Sequence, residues 1–181
     1  KDAIGGMRAL GISGINVTAP HKVEVMKYID VVTDGAKKLG SVNTVVNRDG
    51  KLYGYNTDAD GFCMALTKAG IEIENSRILI IGAGGVVRPT LIRLIDNKPK
   101  SITVVNRTKS KAKTLAEDIL KSTGFEVNTE IDKLEFDIVI NTTSAGMEPQ
   151  ENVMPIENIE EINDLSFINE NTAAVDMIYN P

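Results

Sequence analysis

The stretch from Ile78 to Thr108 constrains the fold of this chain more than any other. It begins with the apolar run Ile-Leu-Ile-Ile, passes through Gly82-Ala83-Gly84-Gly85, and continues with the apolar spacing of a helix. A second apolar run, Ile102–Val105, follows and ends in the polar tip Asn106-Arg107-Thr108. This order of strand, glycine turn, helix and strand predicts a Rossmann-like unit, in which the turn and the helix N-terminus bind the pyrophosphate of a dinucleotide.

The polar tip of the second strand indicates which dinucleotide the unit binds. NAD sites usually carry Asp or Glu there for the ribose 2′-hydroxyl, whereas this chain has Arg107, with Lys109 and Lys111 behind it. A carboxylate would repel a 2′-phosphate, and a guanidinium binds one through paired hydrogen bonds, so we predict NADP. In the alternative interpretation these cations only open the next helix on a solvated face, although lysines at a helix N-terminus oppose its dipole.

Composition narrows the remaining classes of protein. The chain has 181 residues, of which 42% are hydrophobic, and a formal net charge of −5. This length and hydrophobic content allow a packed core, and the negative charge excludes a general affinity for nucleic acid or an anionic membrane. No apolar run is long enough to suggest a membrane span. Cys63, the single cysteine, lies in an apolar helical pattern and is predicted to be a core residue.

The pattern along the chain predicts an α/β fold with two domains. Residues 1–75 are predicted to form a smaller, partial α/β domain for substrate binding and catalysis. Residues 76–181 are predicted to form a Rossmann-like NADP-binding domain with its last strand missing. Its apolar strands lack polar alternation, which predicts a doubly wound parallel sheet covered on both faces. Strands are predicted at 15–17, 42–47, 52–55, 78–81, 102–105, 126–128, 138–141 and 173–177, and helices at 22–29, 33–39, 59–69, 86–95 and 111–120.

Three polar segments follow predicted strands in the first domain. Each is open to an interpretation as ordinary turn and helix-capping chemistry. Three of them in one short region nevertheless indicate a pocket for a hydroxylated ligand, because loops on a rigid scaffold commonly hold substrates. The segments are Asn16-Val17-Thr18-Ala19-Pro20-His21-Lys22, Ser41-Val42-Asn43-Thr44 and Tyr55-Asn56-Thr57-Asp58.

Taken together with the glycine turn, these segments resemble the shikimate dehydrogenase family. The resemblance extends in order, at family-like spacing, over nearly the whole chain. It implies the reduction of 3-dehydroshikimate to shikimate with NADPH, a step of the chorismate route to aromatic amino acids. Beyond the segments already given, the matching residues are Arg88, Asn106-Arg107-Thr108, Asn141-Thr142-Thr143 with Gly146-Met147, and Asp176-Met177-Ile178-Tyr179.

The resemblance also implies roles for individual residues. Lys22 and Asp58 would form the catalytic pair, which suits the chemistry: hydride addition to a ketone creates an alkoxide that a lysine ammonium can protonate and stabilise. Thr18, Asn43 and Tyr179 would contact the substrate, and no metal is expected. Cofactor contacts are implied for Asp34, Gly82, Ala83, Gly84, Gly85, Val86, Asn106, Arg107, Thr108, Lys109, Lys111 and Met177.

Some residues and segments depart from the simplest expectation. His21 is the only histidine and would be the default acid from composition, but the resemblance gives that role to its neighbour Lys22. Val87 and Pro89 differ from the family pattern, and Pro89 is tolerated only within the first turn of the helix. The family also carries a strand and a serine-bearing loop before Lys1, and a glutamine-bearing helix after Pro181. We therefore expect weak or absent turnover from this polypeptide alone.

Two alternatives to an NADP-dependent shikimate dehydrogenase remain open. One is a quinate/shikimate dehydrogenase that uses NAD, against which Arg107 argues. The other is a non-catalytic NADP-binding module, against which the presence of both Lys22 and Asp58 argues. We expect a small-molecule partner, shikimate or 3-dehydroshikimate, no nucleic-acid or membrane partner, a homodimer as the candidate assembly, and a cytoplasmic location.

Overall fold

The chain forms two compact units in a computed structural model, Lys1–Ala65 and Leu66–Pro181. The structure describes residues 1–146, 148, 152–157, 159–160, 162, 164–165 and 167–177. The two units meet in sequence inside a helix, whereas the boundary predicted from the sequence lies after Asn75. Each unit has a four-stranded sheet of its own.

The first unit contains a mixed sheet of four short strands. Its elements are α1 (Asp2–Ala9), β1 (Gly14–Asn16), a 3-10 helix (Glu24–Lys27), β2 (Val31–Val32), α2 (Asp34–Leu39), β3 (Thr44–Arg48), β4 (Lys51–Tyr55) and the beginning of α3 (Asp58–Lys68). Strand order is β1-β3-β4-β2, with β2 parallel to β4 and the other neighbours antiparallel. Asp49 and Gly50 both have positive φ and form the tight turn of the predicted hairpin between β3 and β4.

The region between β1 and α2 is the part of this unit that sequence patterns describe least well. A helix is predicted over 22–29, but only the 3-10 turn Glu24–Lys27 forms. The reason is that the Asp30 N–H donates to the Leu52 carbonyl and the Asp30 carboxylate accepts from the Leu52 N–H, which draws the chain onto the edge of the sheet. The two-residue strand β2 follows at once and is too short to give a sequence signal.

The second unit contains the elements β5 (Arg77–Ile81), α4 (Val87–Asp96), β6 (Ser101–Val105), α5 (Lys109–Thr123), β7 (Ile138–Asn141) and β8 (Ala173–Asp176). Its sheet is parallel with strand order β6-β5-β7-β8, which confirms the predicted Rossmann-like class. In this order the chain leaves β5 on one side for β6 and returns on the other for β7, and ligands of open α/β sheets bind at such a switch point. The predicted strand at 126–128 is reduced to a single bridge between Asn128 and Thr103.

The central strands of this sheet are buried on both faces. On one face, Leu79 and Ile81 pack in a cluster with residues of the segment after β7, among them Ile159 and Phe167. Because side chains alternate along a strand, Ile80 faces the other side of the sheet, where it is also buried. Residues in β5 and β7 therefore read as uninterrupted apolar runs, as expected for a covered parallel sheet.

An ion pair joins β5 and β7 where both strands begin. The guanidinium of Arg77 donates from Nη2 to Asp137 Oδ1 at 2.9 Å and from Nε to Asp137 Oδ2 at 3.1 Å. The Arg77 N–H donates to the same carboxylate at 2.7 Å, and the Asp137 N–H donates to the Arg77 carbonyl at 2.9 Å. The hydrogen bond from the guanidinium holds the pKa of the Asp137 carboxyl below its usual value.

At the other end of β5, the chain turns at a position that only glycine fits. Gly82 has φ of +115°, and a Cβ there would lie 2.5 Å from Oγ1 of Thr142. Thr142 cannot withdraw, since its N–H and its hydroxyl both donate to the Ile81 carbonyl, at 2.9 and 2.8 Å. The first glycine of the turn is thus required by the close approach of β5 and β7.

We predict that Asp137→Asn destabilises the full-length protein in a pH-dependent way. Because the folded pKa of Asp137 lies below its unfolded value of about 3.9, the pair's contribution is present above that value and is lost as pH falls through the folded pKa. The carboxylate is partly exposed, so we expect a loss of about 1 kcal/mol near neutral pH. Urea unfolding between about pH 7 and pH 3 measures it. Asp132→Asn, an exposed aspartate in the same loop, is the control, and a deficit that is constant with pH would contradict the prediction.

We predict that Gly82→Ala lowers the free energy of unfolding by about 3 kcal/mol, because it combines a strained backbone conformation with a clash against Thr142. Gly84→Ala is the matched control, since a Cβ at Gly84 meets no atom within 4 Å and φ there is not positive. Denaturant unfolding compares the two variants. Equal stability of both would show that the approach of Thr142 does not restrict position 82.

Candidate functional site

The first unit brings together the two residues that the resemblance makes a catalytic pair. Nζ of Lys22 donates to Oδ2 of Asp58 at 2.6 Å, although the two residues lie 36 positions apart. Asp58 is the first residue of α3, where the helix dipole stabilises a carboxylate. The backbone of Lys22 is also fixed, because its carbonyl accepts a hydrogen bond from the Val42 N–H at 2.8 Å. The pair stays accessible, with the side chain of Lys22 25% exposed and that of Asp58 51% exposed.

The side-chain amide of Asn43 fixes the second oxygen of Asp58. Its Nδ2 donates to Asp58 Oδ1 at 2.6 Å and to Thr57 Oγ1 at 2.9 Å. Its Oδ1 accepts from the Thr57 N–H at 3.0 Å and from Thr44 Oγ1 at 3.0 Å. Asn43 is itself buried, so the Asp58 carboxylate is held between a rigid amide and an ammonium, each bound to a different oxygen.

Asn43 aside, the structure shows no side-chain hydrogen bond between the pair and the other predicted site residues that it describes in this unit. Thr18 and His21 are exposed and linked through their backbones, and within the described part of the chain neither side chain hydrogen bonds to Lys22 or Asp58. Asp34 begins α2, is fully exposed, and lies 3.3 Å from Lys37 in an ion pair. Tyr179, the third predicted substrate contact, lies outside the described residues.

The glycine turn of the second unit has the form of an anion site. A Cβ added at Gly84 or Gly85 would meet nothing within 4 Å, so the backbone faces open space. Among the described residues, none accepts a hydrogen bond from the N–H of Gly84, Gly85 or Val86. Helix α4 follows with no acidic residue in its first turn and no side-chain cap. Free N–H groups at a helix N-terminus bind phosphate, and the residues present fit a dinucleotide pyrophosphate.

Helix α4 begins at Val87 despite the departures from the family pattern. Val87 is fully buried, and Pro89 lies in the first turn, as its missing N–H requires. The first N–H groups of a helix have no intrahelical acceptor in any case, so Pro89 removes no bond from α4.

The polar tip after β6 is tied to the glycine turn. Oδ1 of Asn106 accepts from the Ala83 N–H at 3.1 Å, and its Nδ2 donates to the Thr108 carbonyl at 3.0 Å. Arg107 follows and is exposed, and no ion pair joins it to any residue that the structure describes. Lys111 is also exposed, whereas Lys109 forms an ion pair with Glu160 at 2.8 Å. The tip therefore carries an exposed guanidinium on the residue next to Asn106, which contacts the glycine turn.

Two polar residues at the ends of β7 and β8 form a network for which the sequence suggested no role. Nδ2 of Asn141 donates to both carboxylate oxygens of Asp176, at 3.1 and 3.2 Å, and its Oδ1 accepts from the Thr143 N–H. Met177, a predicted cofactor contact, follows directly and donates its N–H to the Asn141 carbonyl at 3.0 Å. In the sequence, the signal for this network is Asn141 itself, which ends the apolar run of a predicted strand and is buried in the structure.

The described residues contain no group of three or more His, Cys, Asp or Glu side chains arranged to hold a metal ion. In the same part of the chain, no helix combines the length and the apolar character needed to cross a bilayer.

The geometry offers two chemical capabilities. In the first unit an ammonium, oriented by a fixed carboxylate, can donate a proton to a developing oxyanion. In the second unit an open glycine turn and a guanidinium can bind a phosphorylated dinucleotide. Reduction of a carbonyl with a nicotinamide cofactor requires both capabilities.

Comparison with known proteins finds shikimate dehydrogenases along the whole chain. A family profile described as the shikimate dehydrogenase substrate binding domain matches residues 1–45, and one described as shikimate / quinate 5-dehydrogenase matches residues 64–177. The chain is 46% identical to a protein from Geobacillus sp. (strain WCH70) named shikimate dehydrogenase (NADP(+)), with all of this chain and 65% of that protein aligned. It thus spans just under two thirds of the length of the curated relatives it matches.

Two solved structures resemble the fold closely. A shikimate dehydrogenase in complex with NADP+ is 37% identical, with a TM-score of 0.84 and coverage of 98% of this chain and 62% of that one. A shikimate 5-dehydrogenase from Listeria monocytogenes, in complex with shikimate and NAD, is 30% identical, with a TM-score of 0.83 and coverage of 98% and 64%. The resemblance seen in the sequence is therefore confirmed. The profile match over residues 64–177 covers more than half of this chain, so the chain belongs to the shikimate / quinate 5-dehydrogenase family.

Proposed function

We propose that the protein containing this chain interconverts 3-dehydroshikimate and shikimate with NADP, a step in chorismate and aromatic amino acid biosynthesis. The observation that carries the proposal is the contact of 2.6 Å between Lys22 Nζ and Asp58 Oδ2, with Asn43 holding the other carboxylate oxygen. The relatives named as NADP-dependent shikimate dehydrogenases support it. In this proposal the first unit carries the substrate chemistry and the second binds the dinucleotide.

Lys22 is the proton donor of the proposed reaction. NADPH, when bound, supplies a hydride to the carbonyl carbon of the substrate. As the carbonyl π bond breaks, Lys22 gives one proton from Nζ to the oxygen, and the product is a secondary alcohol. In the reverse direction the neutral amine of Lys22 accepts the hydroxyl proton. In both directions the positive charge that develops or is present on Lys22 stabilises the alkoxide character of the transition state.

Asp58 orients both partners of this proton transfer. Its Oδ2 holds the Lys22 ammonium, and its Oδ1 is held by Asn43, so rotation of the carboxylate would break two short hydrogen bonds. A carboxylate fixed in this way can accept a hydrogen bond from a substrate hydroxyl beside the reacting carbon. Thr18 and Tyr179 remain proposed substrate contacts by resemblance alone.

NADP is the favoured cofactor because of the tip after β6. Arg107 is exposed, it lies next to Asn106, and Asn106 accepts from the glycine turn. The exposure of Arg107 and its position next to Asn106 support a role for its guanidinium in binding a 2′-phosphate. Lys111 would add a second charge, whereas Lys109 would first have to leave Glu160. Met177 and Asp34 are further proposed cofactor contacts.

An NAD-dependent quinate/shikimate dehydrogenase is the closest alternative, and the Listeria relative carries NAD together with shikimate. Assays with shikimate and quinate, each with NADP and NAD, separate the two. Cofactor binding without turnover would favour the non-catalytic module instead. We further propose that the full-length protein acts in the cytoplasm as a homodimer, with no nucleic-acid partner.

We predict that Lys22→Ala in the full-length protein lowers kcat for shikimate oxidation about 1,000-fold, because the reaction loses its acid–base group. The dissociation constant for NADP should stay within about threefold, since Lys22 has no part in the anion site. NADPH absorbance measures turnover, and fluorescence titration measures cofactor binding.

Lys27→Ala is the matched control for this prediction, because Lys27 is a nearby lysine that pairs with Glu24 at 2.6 Å on the surface. It should leave kcat unchanged. Full turnover in Lys22→Ala, together with a large loss in His21→Ala, would reassign the acid to the histidine.

We predict that Arg107→Ala raises the KM for NADP by about 10- to 100-fold, the loss expected when a charged, paired hydrogen bond to phosphate is removed. The KM for NAD should change less than about threefold, since NAD has no 2′-phosphate. Steady-state assays with both cofactors measure the ratio. Lys121→Ala, an exposed cation at the far end of α5, is the control, and equal effects on NADP and NAD would exclude Arg107 from the 2′-phosphate site.

A further inference from the structure

Two buried polar residues lie directly behind the Lys22–Asp58 pair and have no role in the reaction so far. Asn56 is 8% exposed and Ser41 is 7% exposed. Nδ2 of Asn56 donates to Ser41 Oγ at 2.8 Å and to the Ser41 carbonyl at 3.2 Å. Oδ1 of Asn56 accepts from the Asp58 N–H at 3.1 Å. The amide of Asn56 therefore joins the Ser41 segment to the backbone of the catalytic carboxylate.

The segment on the other side of this bond reaches Lys22. Ser41 is followed by Val42, whose N–H donates to the Lys22 carbonyl at 2.8 Å, and by Asn43, whose amide donates to Asp58 Oδ1. Of these three consecutive residues, Val42 and Asn43 each contact one member of the pair, and Ser41 is linked to Asp58 through Asn56. Ser41 acts on the Asp58 backbone through Asn56, Val42 acts on the Lys22 backbone, and Asn43 acts on the carboxylate itself.

We propose that Asn56, anchored by Ser41, is a positioning residue that sets the Asp58 carboxylate against the Lys22 ammonium. The inference rests on the dehydrogenase function proposed above. The buried Asn56 amide donates two hydrogen bonds and accepts one, and a shift of its neighbours would leave these buried polar groups unpaired. A displacement of about 1 Å at reacting groups can cost about 100-fold in rate.

The experiment compares Asn56→Ala with Asn56→Ser in the full-length protein. Asn56→Ala should lower kcat at least tenfold, with the NADP dissociation constant unchanged. Asn56→Ser should recover at least part of this loss, because a serine hydroxyl can accept from the N–H two residues ahead, as Asn56 Oδ1 does. Asn47→Ala is the matched control, since Asn47 Oδ1 accepts from the Gly50 N–H in the hairpin turn of the same unit.

A double-mutant cycle distinguishes positioning from a general loss of structure. If Asn56 acts through Asp58, then Asn56→Ala should lower kcat less than twofold in an Asp58→Asn background. The same tenfold loss in both backgrounds would overturn the proposal, and so would an unchanged kcat in Asn56→Ala alone.

A second readout does not depend on turnover. Limiting acetic anhydride labels lysine amines, and mass spectrometry gives the rate at Lys22. A Lys22 amine released from Asp58 should label at least threefold faster in Asn56→Ala and Asp58→Asn, but not in Asn47→Ala. If the wild type fails to oxidise shikimate, the proposed function is wrong, and the labelling ratio still decides whether Asn56 holds the pair. An unchanged ratio in Asn56→Ala would refute the positioning role.

Discussion

The second unit depends on the strand β5 being paired in parallel along both of its edges. Both faces of this central strand are also covered, so the side chains from Ile78 to Ile81 are all apolar. An ion pair of Arg77 with Asp137 joins β5 and β7 at the end where these strands begin. At the opposite end, Thr142 binds the Ile81 carbonyl and comes close enough to exclude a side chain from position 82. The glycine turn and the polar tip inherit their positions from this packing, because both follow directly from strands that cannot shift.

The geometry of the Lys22–Asp58 pair in the first unit depends on a set of hydrogen bonds between loops. The sheet there is small, and β2 contains only Val31 and Val32. Precision at the Lys22–Asp58 pair comes instead from Asn43, which binds the carboxylate, and from Val42, which binds the Lys22 backbone. Polar bonds of this kind are directional, so they fix an angle as well as a distance, which apolar packing alone does less well.

Sequence reasoning recovered the elements whose signals are local. The apolar runs of β5, β6 and β7 and the Asp49-Gly50 turn stand within one or two residues of their predicted places. The helix predicted over 22–29 is too long, and β2 was missed, because Asp30 bonds to Leu52 and β2 pairs with β4, far away in the sequence. Among the site residues, Lys22 and Asp58 are in contact, and their catalytic roles stay a prediction. The bonds of Asn56 to Ser41 and of Asn141 to Asp176 could not be predicted, because residue types alone do not say which polar residues meet in the fold.

The contrast among the glycines of the turn has a consequence for how such chains diverge. Gly82 is required by the protein's own packing, while Gly84 and Gly85 face open space and are restricted only by what the turn binds. A descendant that lost its dinucleotide would remain under selection to keep the first glycine, yet could replace the other two without harm to its fold. In distant relatives, a retained first glycine therefore reports an intact sheet, and only the later ones report whether a nucleotide is still bound.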